Sequence, residues 1–333
     1  MRDPLLYLGI GALGAGLSAW LGFLFTPWVR MLALRHGAAH APRARDVHRE
    51  PVPRWGGLAI YLAFVLSLIA GVFLVQLVLQ RPIAPTTLRQ GLGLVLAGTI
   101  LSVVGAVDDR WELSAGKQIL VQLACAVLVM LPPFGVVIQF ISNPFGAQPI
   151  YLGWWAYPVT ALWLIGVANA VNWIDGIDGL AAGVSGIAAL TLALLAACSK
   201  QPALTILAAA LFGSLLGFLR YNFNPAKIFM GGGAPFVGFT LASISAVGAF
   251  KAPMTIAVAL PILILALPIF DTAAVILKRW RAGRPIYQAD KSHLHHMLLE
   301  QGFSQKQTVL ILYGISFSLC MVAFGAYVLS LRG

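Results

Sequence analysis

The sequence contains few charged residues and few cysteines. Only 10% of its 333 residues are Asp, Glu, Lys or Arg, whereas a soluble domain carries roughly 25%. With 59% hydrophobic residues, a soluble fold would have no place for the apolar surface, so a soluble domain is excluded. The cysteines lie in or beside apolar runs without the spacing of metal ligands, and we expect them to be inert packing residues. They are Cys125, Cys198 and Cys320.

Long apolar runs recur along the whole chain. Runs of about 20 residues are typical of membrane-spanning helices. The sequence therefore predicts an all-α integral membrane protein with about ten transmembrane helices in a single polytopic domain, residues 1–333. The predicted helices cover residues 4–27, 57–79, 89–107, 118–135, 157–173, 181–198, 202–220, 235–250, 253–277 and 307–330.

The net charge of +11 is concentrated in alternate loops. Five loops, together with Arg220 at the edge of one of them, hold 16 of the 22 Lys and Arg residues. These loops are residues 28–56, 108–117, 174–180, 221–234 and 278–306. Because positive loops face the cytoplasm, we expect these loops, and any site that they form, to be cytoplasmic. The charge also suits phosphates or anionic lipid headgroups, whereas no nucleic acid is expected, since no basic stripe lies on a soluble face.

Two adjacent carboxylates, Asp108 and Asp109, follow the third predicted helix. At a membrane boundary they repel each other and lose hydration, which indicates a divalent metal or a phosphate-bound cation nearby. A solvated turn is the alternative interpretation.

The stretch from Asn169 to Gly179 places polar side chains at a membrane end. Asn169, Asn172 and Asp175 are three residues apart, so they share a helix face if the helix continues. Asp175 and Asp178 each precede a glycine, which indicates a turn. Carboxylate and amide oxygens suit Mg²⁺. The alternative is a helix C-cap followed by a linker.

Two later stretches also have the composition of a phosphate site. The three glycines at 231–233 either bring backbone N–H groups close to phosphate or form a flexible hinge. His293, His295 and His296 lie in the most basic loop and suit either a metal site or a clamp on a diphosphate. Phosphate contact is favoured over zinc, because no further Cys or carboxylate ligand is evident nearby in the sequence.

Asp271 lies inside the ninth predicted helix, one turn after Pro268. An ionisable residue within a span usually faces a partner or a cavity, and together with a Pro-broken helix it would also suit a transporter. The lack of a visible internal repeat argues against an inverted-repeat transporter.

Taken together, these motifs resemble the polyprenyl-phosphate N-acetylhexosamine-1-phosphate transferase family. The resemblance runs from the Pro-Val-Pro-Arg-Trp-Gly-Gly segment at 51–57, through Asp108-Asp109 and the Asn-Ala-Val-Asn run that begins at Asn169, to the His-Leu-His-His loop at 293–296. It implies a phosphoglycosyl transferase, in which a polyprenyl phosphate attacks the sugar-linked phosphate of a UDP-N-acetylhexosamine. The implied products are a lipid diphosphate sugar and UMP.

The resemblance also implies roles for individual residues. It makes Asp175 a Mg²⁺ ligand, with Mn²⁺ as the alternative ion, and it places Asp108 and Asp109 beside the lipid phosphate. His295 and His296 complete the implied catalytic set. Residues implied to contact phosphates, sugar or nucleotide are Lys117, Asn169, Asn172, Asp178, Asn222 and His293, with Phe229 stacking on uracil. Two arginines are further candidates for substrate binding. They are Arg284, in the most basic loop, and Arg54, which is either a headgroup contact or only positive-inside charge.

The His-Leu-His-His form resembles the N-acetylglucosamine-1-phosphate branch of this family. UDP-GlcNAc is therefore the expected donor, and undecaprenyl phosphate is the expected acceptor. The resemblance further implies a multi-pass protein of the bacterial inner membrane that contacts membrane lipids and forms a homodimer. Its product would serve cell-envelope glycan synthesis, such as that of cell wall, lipopolysaccharide or teichoic acid.

One position departs from the family pattern. The family has Met-Gly-Asp after the Phe, whereas this chain reads Met230-Gly231-Gly232, and the segment before Phe236 is one residue short. Gly232 thus stands where a second metal ligand is expected, which predicts weak Mg²⁺ binding. The alternative hypothesis is a catalytically impaired relative that binds polyprenyl phosphate or nucleotide, in which a Gly232→Asp variant would regain the ligand.

Overall fold

The structure, a computed structural model, describes residues 4–40, 51–79, 83–141, 148–248, 259–285 and 292–330. Most of this part of the chain is helical, which confirms the predicted all-α class. The described α-helices are α1 (Pro4–Arg35), α2 (Gly56–Leu79), α3 (Pro85–Trp111), α4 (Ala115–Met130), α5 (Ala156–Ile174), α6 (Leu180–Cys198), α7 (Pro202–Asn222), α8 (Ala234–Val247), α9 (Ala259–Ile264), α10 (Ala266–Arg281), α11 (Leu294–Glu300) and α12 (Gln305–Ser330).

Seven helices in the described part of the chain are long and apolar enough to cross a membrane. They are α1, α2, α3, α5, α6, α7 and α12. Two shorter helices, α4 and α8, are also apolar. The chain is therefore a multi-pass membrane protein, in agreement with the prediction from composition.

The ninth predicted helix, 253–277, differs from the structure. Its first residues, 253–258, lie outside the described residues, and the remainder is divided at Leu265 into α9 and α10, which continues to Arg281. Pro268 explains the interruption, because it has no N–H to donate to the carbonyl of Ile264 and its ring crowds that carbonyl. Asp271 consequently lies near the beginning of a separate helix.

Two other helix ends change the placement of predicted site residues. Helix α3 continues to Trp111, so Asp108 and Asp109 lie in its last turn rather than in the loop after it. Helix α5 ends at Ile174, and Asp175 leaves the helical conformation with a ψ of 52°. The helix face expected to be shared with Asp175 therefore stops one residue before it.

The centre of the bundle is formed by α6 and α7, whose residues are mostly buried. Helix α1 packs along α7 and α12 packs on α6. At Gly213 and Gly217 of α7, an added Cβ would overlap the carbonyl oxygens of Ala15 and Ala19 in α1. Small residues allow such close helix contact in a membrane, where van der Waals packing replaces the hydrophobic effect.

Two short antiparallel strand pairs connect the helices. One joins Ala39–His40 to Val52–Pro53, and the other joins Phe140–Ile141 to Ile150–Tyr151. The first pair is extended by a hydrogen bond from the N–H of Phe229 to the carbonyl of Pro53 (2.9 Å). It thereby holds the segment before α2 against the loop after α7, at the same end of the bundle as the last turns of α3 and α5.

Candidate active site

The two adjacent carboxylates of α3 have different partners. Oδ1 of Asp108 accepts hydrogen bonds from the backbone N–H of Leu113 (2.7 Å) and from Nε2 of Gln118 (3.0 Å), which holds the turn between α3 and α4. The Asp109 side chain is buried, and both of its carboxylate oxygens lie 3.0 Å from the backbone nitrogen of Gly232. Each of the two carboxylates therefore has its own amide donors.

The turn Gly231–Gly233 joins the carboxylates of α3 and α5. The N–H of Gly232 donates to Asp109, and the preceding N–H, that of Gly231, favours the charged form of Asp175. Gly231 reaches this geometry with a φ of +63°, a left-handed conformation that glycine adopts readily. Successive backbone N–H groups of this kind form an anion-binding surface. Here one of them binds the Asp109 carboxylate, and the other acts on Asp175.

The same turn packs backbone against backbone on α2 and α3. A Cβ added at Gly232 would overlap the carbonyl of Gly105, and one added at Gly233 would overlap the Cα of Gly57. An aspartate at position 232 does not fit unless the backbone of α3 moves. The backbone of α3 thus fills the space that a side chain at position 232 needs, and whether Gly232→Asp supplies a metal ligand stays a prediction.

Asp175 is partly buried in surroundings that disfavour its charged form. Burial raises the pKa of Asp175 to about 7 against the opposing effects of the Arg54 guanidinium and the Gly231 N–H, and the nearby Asp178 contributes to the rise. Arg54 also acts electrostatically on Asp109. The single positive charge of Arg54 thus acts on two carboxylates, Asp109 and Asp175. A bound cation would neutralise the negative charge that remains.

Asp178 and Asn222 connect two loops of the site. Oδ2 of Asp178 accepts hydrogen bonds from Nδ2 of Asn224 and from a backbone N–H of the loop after α7, both at 2.9 Å. Oδ1 of Asn222 accepts the N–H of Gly179 (3.1 Å), and its Nδ2 donates to a carbonyl of the same loop (2.9 Å). Both side chains thus hold the two loops together through hydrogen bonds. Their contact with nucleotide stays a prediction.

Asn169 faces α4. Its Nδ2 donates to Oε1 of Gln122 (2.6 Å) and to a carbonyl one turn earlier in α5 (2.8 Å). Asn172 is half-buried in the last turn of α5, and its carbonyl accepts the N–H of Asp175 (3.3 Å). Sequence reasoning missed Gln118 and Gln122, although they stand one turn apart in an apolar helix. Polar side chains in such a helix indicate partners.

The histidine cluster, His293, His295 and His296, lies on the turn after α5. The ring of His295 stacks on that of His293 with centroids 5.7 Å apart and lies 4.2 Å from that of His296. A Cβ added at Gly176 would overlap Nε2 of His295, so this ring lies directly on the Gly176 backbone. Burial, reinforced by the two neighbouring histidines, lowers the pKa of His295 to about 3. His295 is thus a neutral ring whose Nε2 has no hydrogen-bond partner among the described residues.

Three other predicted contacts lie around these groups. Lys117 is exposed in the first turn of α4, and Arg284 is exposed just after α10, next to the undescribed residues 286–291. Phe229 is half-buried, and its carbonyl accepts the N–H of Gly56 (2.9 Å). The structure places Phe229 beside the segment of Arg54, and its stacking on uracil stays a prediction.

Comparison with known proteins identifies the family. Residues 91–249 match glycosyl transferase family 4. A protein named probable undecaprenyl-phosphate N-acetylglucosaminyl 1-phosphate transferase, from Bacillus subtilis, is 38% identical over 296 residues, which cover 88% of this chain and 78% of that protein. The chain belongs to glycosyl transferase family 4.

Two further relatives widen the comparison. The decaprenyl-phosphate N-acetylglucosaminephosphotransferase of Mycolicibacterium smegmatis is 35% identical over 337 residues, covering 93% of this chain and 79% of that protein. The undecaprenyl-phosphate alpha-N-acetylglucosaminyl 1-phosphate transferase of Escherichia coli K12 is 27% identical over 300 residues, covering 87% and 78%.

Family membership agrees with the resemblance drawn from the motifs. It makes this family 4 chain a phosphoglycosyl transferase enzyme and disfavours the transporter hypothesis. The hypothesis of a catalytically impaired relative gains no support from these relatives. The matched range contains Asp109, Asp175 and the glycine turn, whereas Arg54 and the histidine cluster lie outside it.

Proposed function

We propose that this family 4 enzyme transfers N-acetylglucosamine-1-phosphate from UDP-GlcNAc to undecaprenyl phosphate and releases UMP. The observation that supports it is the meeting of Asp109, Asp175, Arg54 and the histidine cluster at one end of an apolar helix bundle. Such a site suits one lipid substrate and one water-soluble substrate. The relatives from B. subtilis and E. coli are named for undecaprenyl phosphate, which supports this acceptor.

In the proposed reaction, an oxygen of the lipid phosphate attacks the phosphorus that carries the sugar. A new P–O bond forms there, and the bond from that phosphorus to the bridging oxygen of UDP breaks, so that UMP leaves with the electron pair. One diphosphate linkage replaces another, and no water is consumed. Catalysis of such a transfer depends mainly on aligning the reacting oxygens and neutralising their charge.

The residues present fit a Mg²⁺ ion, with Mn²⁺ as the alternative. Asp109 and Asp175 offer carboxylate oxygens, and Mg²⁺ is usually bound through one or two carboxylates together with substrate phosphates and water. In the described ranges, no three His, Cys, Asp or Glu side chains surround a common point, so phosphate oxygens and water would complete the coordination. The ion, when bound, would neutralise charge on the diphosphate.

The chain's own cationic and ring groups would hold the phosphates. Arg54, which already acts on both carboxylates, would bind diphosphate oxygens, and Lys117 and Arg284 are exposed near the same end. His295, as a neutral hydrogen-bonding ring, and His296 would contact the sugar-linked phosphate. The proposed nucleotide and sugar contacts are Asn169, Asn172, Asp178, Asn222, Phe229 and His293, and Asp108 would stand beside the lipid phosphate.

The proposal includes a location. The site would face the cytoplasm from a bacterial inner membrane, because the loops that carry its residues hold most of the Lys and Arg residues. The lipid diphosphate sugar would serve cell-envelope glycan synthesis. A homodimer is part of the same proposal and follows from the family resemblance.

The test combines purified protein, UDP-GlcNAc, undecaprenyl phosphate and Mg²⁺. We expect equal amounts of UMP and lipid diphosphate sugar, measured by chromatography and mass spectrometry, and no UMP when either substrate is omitted. Asp175→Asn should lower the rate by roughly 100-fold. Glu300→Gln, which changes an exposed carboxylate at the end of α11, is the matched control and should leave the rate unchanged.

Two results would count against the proposal. The first is no UMP release from the wild-type protein with either Mg²⁺ or Mn²⁺. The second is UMP release without a lipid-linked sugar, which would indicate hydrolysis. Parallel reactions with UDP-GalNAc test the identity of the donor, and a faster reaction with it would overturn the choice of UDP-GlcNAc.

A further inference from the structure

Asp271, the acidic residue of the ninth predicted helix, has two partners. Its Oδ2 lies 2.7 Å from Nδ1 of His293, and its Oδ1 accepts the backbone N–H of Leu294 at 2.8 Å. The side chains of His293 and Asp271 are only 9% and 7% exposed. Both oxygens of this buried carboxylate of α10 are therefore bonded to residues at the beginning of α11.

The hydrogen bond to Asp271 orients the ring of His293 and favours one of its tautomers. An ionised carboxylate only accepts hydrogen bonds, so Nδ1 of His293 carries the proton and Nε2 is an acceptor when the ring is neutral. The bond to Leu294 also caps α11, since the His293 side chain makes no cap hydrogen bond of its own. Helix N-termini need such acceptors for their first N–H groups.

His293 connects Asp271 to the site, because its ring also contacts Trp173 and His295. Its ring meets the edge of Trp173 with centroids 6.2 Å apart and stacks on His295 at 5.7 Å. His295 in turn lies on Gly176, the residue after the proposed metal ligand. A continuous set of contacts thus runs from Asp271 on α10 to the turn after α5.

A second contact of α10 acts at the same place. Arg279 is buried, and its guanidinium carbon lies 5.5 Å from the ring centroid of Trp173 in α5. Asp271 and Arg279 are two turns apart, so they share a face of α10. This face contacts both the end of α5 and His293, the first residue of the histidine cluster. It therefore fixes the position of the cluster relative to the end of α5.

We propose that Asp271 is a positioning residue for the histidine cluster. Through His293 and the beginning of α11, it sets where His295 stands relative to the Asp175 turn. The inference rests on the proposed function, in that the cluster acts on substrate, and it gives Asp271 no substrate contact of its own. It also accounts for an acidic side chain in an otherwise apolar part of the chain.

The test is Asp271→Asn, which keeps the shape of the side chain. The amide oxygen can still accept the N–H of Leu294, but the amide nitrogen donates, so Nδ1 of His293 must become the acceptor. We expect kcat to fall roughly 10- to 100-fold, as when the carboxylate partner of a functional histidine is removed. Asp271→Glu keeps the carboxylate and should recover part of kcat.

Nuclear magnetic resonance of ¹⁵N-histidine-labelled protein provides a readout that needs no turnover. In the wild-type protein His293 should be in the Nδ1–H tautomer, and in Asp271→Asn it should be in the Nε2–H tautomer, with shifted signals from His295. Signals are assigned with His293→Gln and His295→Gln. Lys278→Gln, which removes one charge at an exposed position of α10, should change neither kcat nor the spectra.

Two outcomes would overturn the proposal. One is wild-type kcat in Asp271→Asn. The other is a fall in kcat that accompanies unfolding, with the His293 tautomer and His295 signals unchanged in the folded fraction. If the wild-type protein shows no transfer at all, the proposed function fails, and the tautomer and the His295 signals still decide the role of Asp271.

Discussion

The backbone nitrogen of Gly232 lies 3.0 Å from both carboxylate oxygens of Asp109, a residue 123 positions earlier in the chain. The preceding N–H, that of Gly231, favours the charged form of Asp175. A turn without side chains thus acts on one carboxylate in the last turn of α3 and on another that directly follows α5. Because the turn also packs directly on the Gly105 backbone, the positions of both carboxylates depend on the small size of the residue at 232.

A side chain at position 232 should destabilise the protein. In Gly232→Ala the new Cβ would overlap the Gly105 carbonyl, and such overpacking costs about 1–3 kcal/mol. Gly232→Asp should be worse, because a second carboxylate would stand beside Asp109. Thermal unfolding of the purified variants measures the effect. Gly166→Ala, at a helical glycine with open space around it, is the control and should unfold at or above the wild-type temperature.

Gly232→Asp also tests whether position 232 can supply a ligand to the proposed metal ion. If the variant binds Mg²⁺ more tightly than the wild-type protein and unfolds at the same temperature, the close packing of this turn on α3 would be refuted. Titration calorimetry with Mg²⁺ alone gives the affinity without turnover.

Asp175→Asn should make the metal-free protein more stable at pH 8. The pKa of Asp175 in the folded protein is about 7, raised from 3.8 chiefly by burial, so the folded state binds more protons than the unfolded state between about pH 4 and 7. The free energy of unfolding therefore falls as pH rises through this range. Removing this buried charge should raise the free energy of unfolding at pH 8 by about 1–3 kcal/mol. Unfolding in a chelator at pH 5 and pH 8 measures it, and a variant less stable than the wild-type protein at pH 8 would contradict the assignment.

His295→Gln should reduce the loss of stability in acid. The pKa of His295 in the folded protein is about 3, lowered from 6.5 mainly by burial, so the unfolded state takes up the proton first as pH falls. Between pH 7 and pH 5 this group alone should lower the free energy of unfolding by about 2 kcal/mol. In the variant, the free energy of unfolding should therefore fall less between pH 7 and pH 5 than it does in the wild-type protein. An equal pH dependence in both proteins would show that His295 is not held neutral by burial.

Asp178→Ala should act mainly on stability. The substitution leaves Nδ2 of Asn224 and the N–H of Ala226 without their carboxylate acceptor, and an unsatisfied buried donor costs about 1–3 kcal/mol. Thermal unfolding measures the loss, and KM for UDP-GlcNAc measures any direct contact. A large rise in KM at unchanged unfolding temperature would instead favour the predicted contact with nucleotide.

The sequence was a good guide to class and to the set of chemical groups. Apolar runs of spanning length identify membrane helices because the bilayer requires that length and composition locally. The motifs also contained the groups that meet in the structure, from Arg54 and Asp109 to the histidine cluster. The boundaries were less accurate, since the last turn of α3 includes three charged residues that composition alone assigns to a loop.

The partners of these groups depended on tertiary structure. Asp271 is predicted to need a partner, but only the crossing of α10 with the beginning of α11 identifies it as His293. In the same way, the sequence predicts only that a carboxylate ligand is missing at Gly232. The structure shows that the backbone N–H of Gly232 donates to Asp109, and that the packing of its turn on Gly105 leaves no space for a side chain. The sequence by itself determined which segments are buried in the membrane and which residue types gather at one end, because hydrophobic length is a local property. Only the packing of distant helices decided which carboxylate, amide and ring meet, because hydrogen bonds depend on distances and angles between segments that are far apart in the chain.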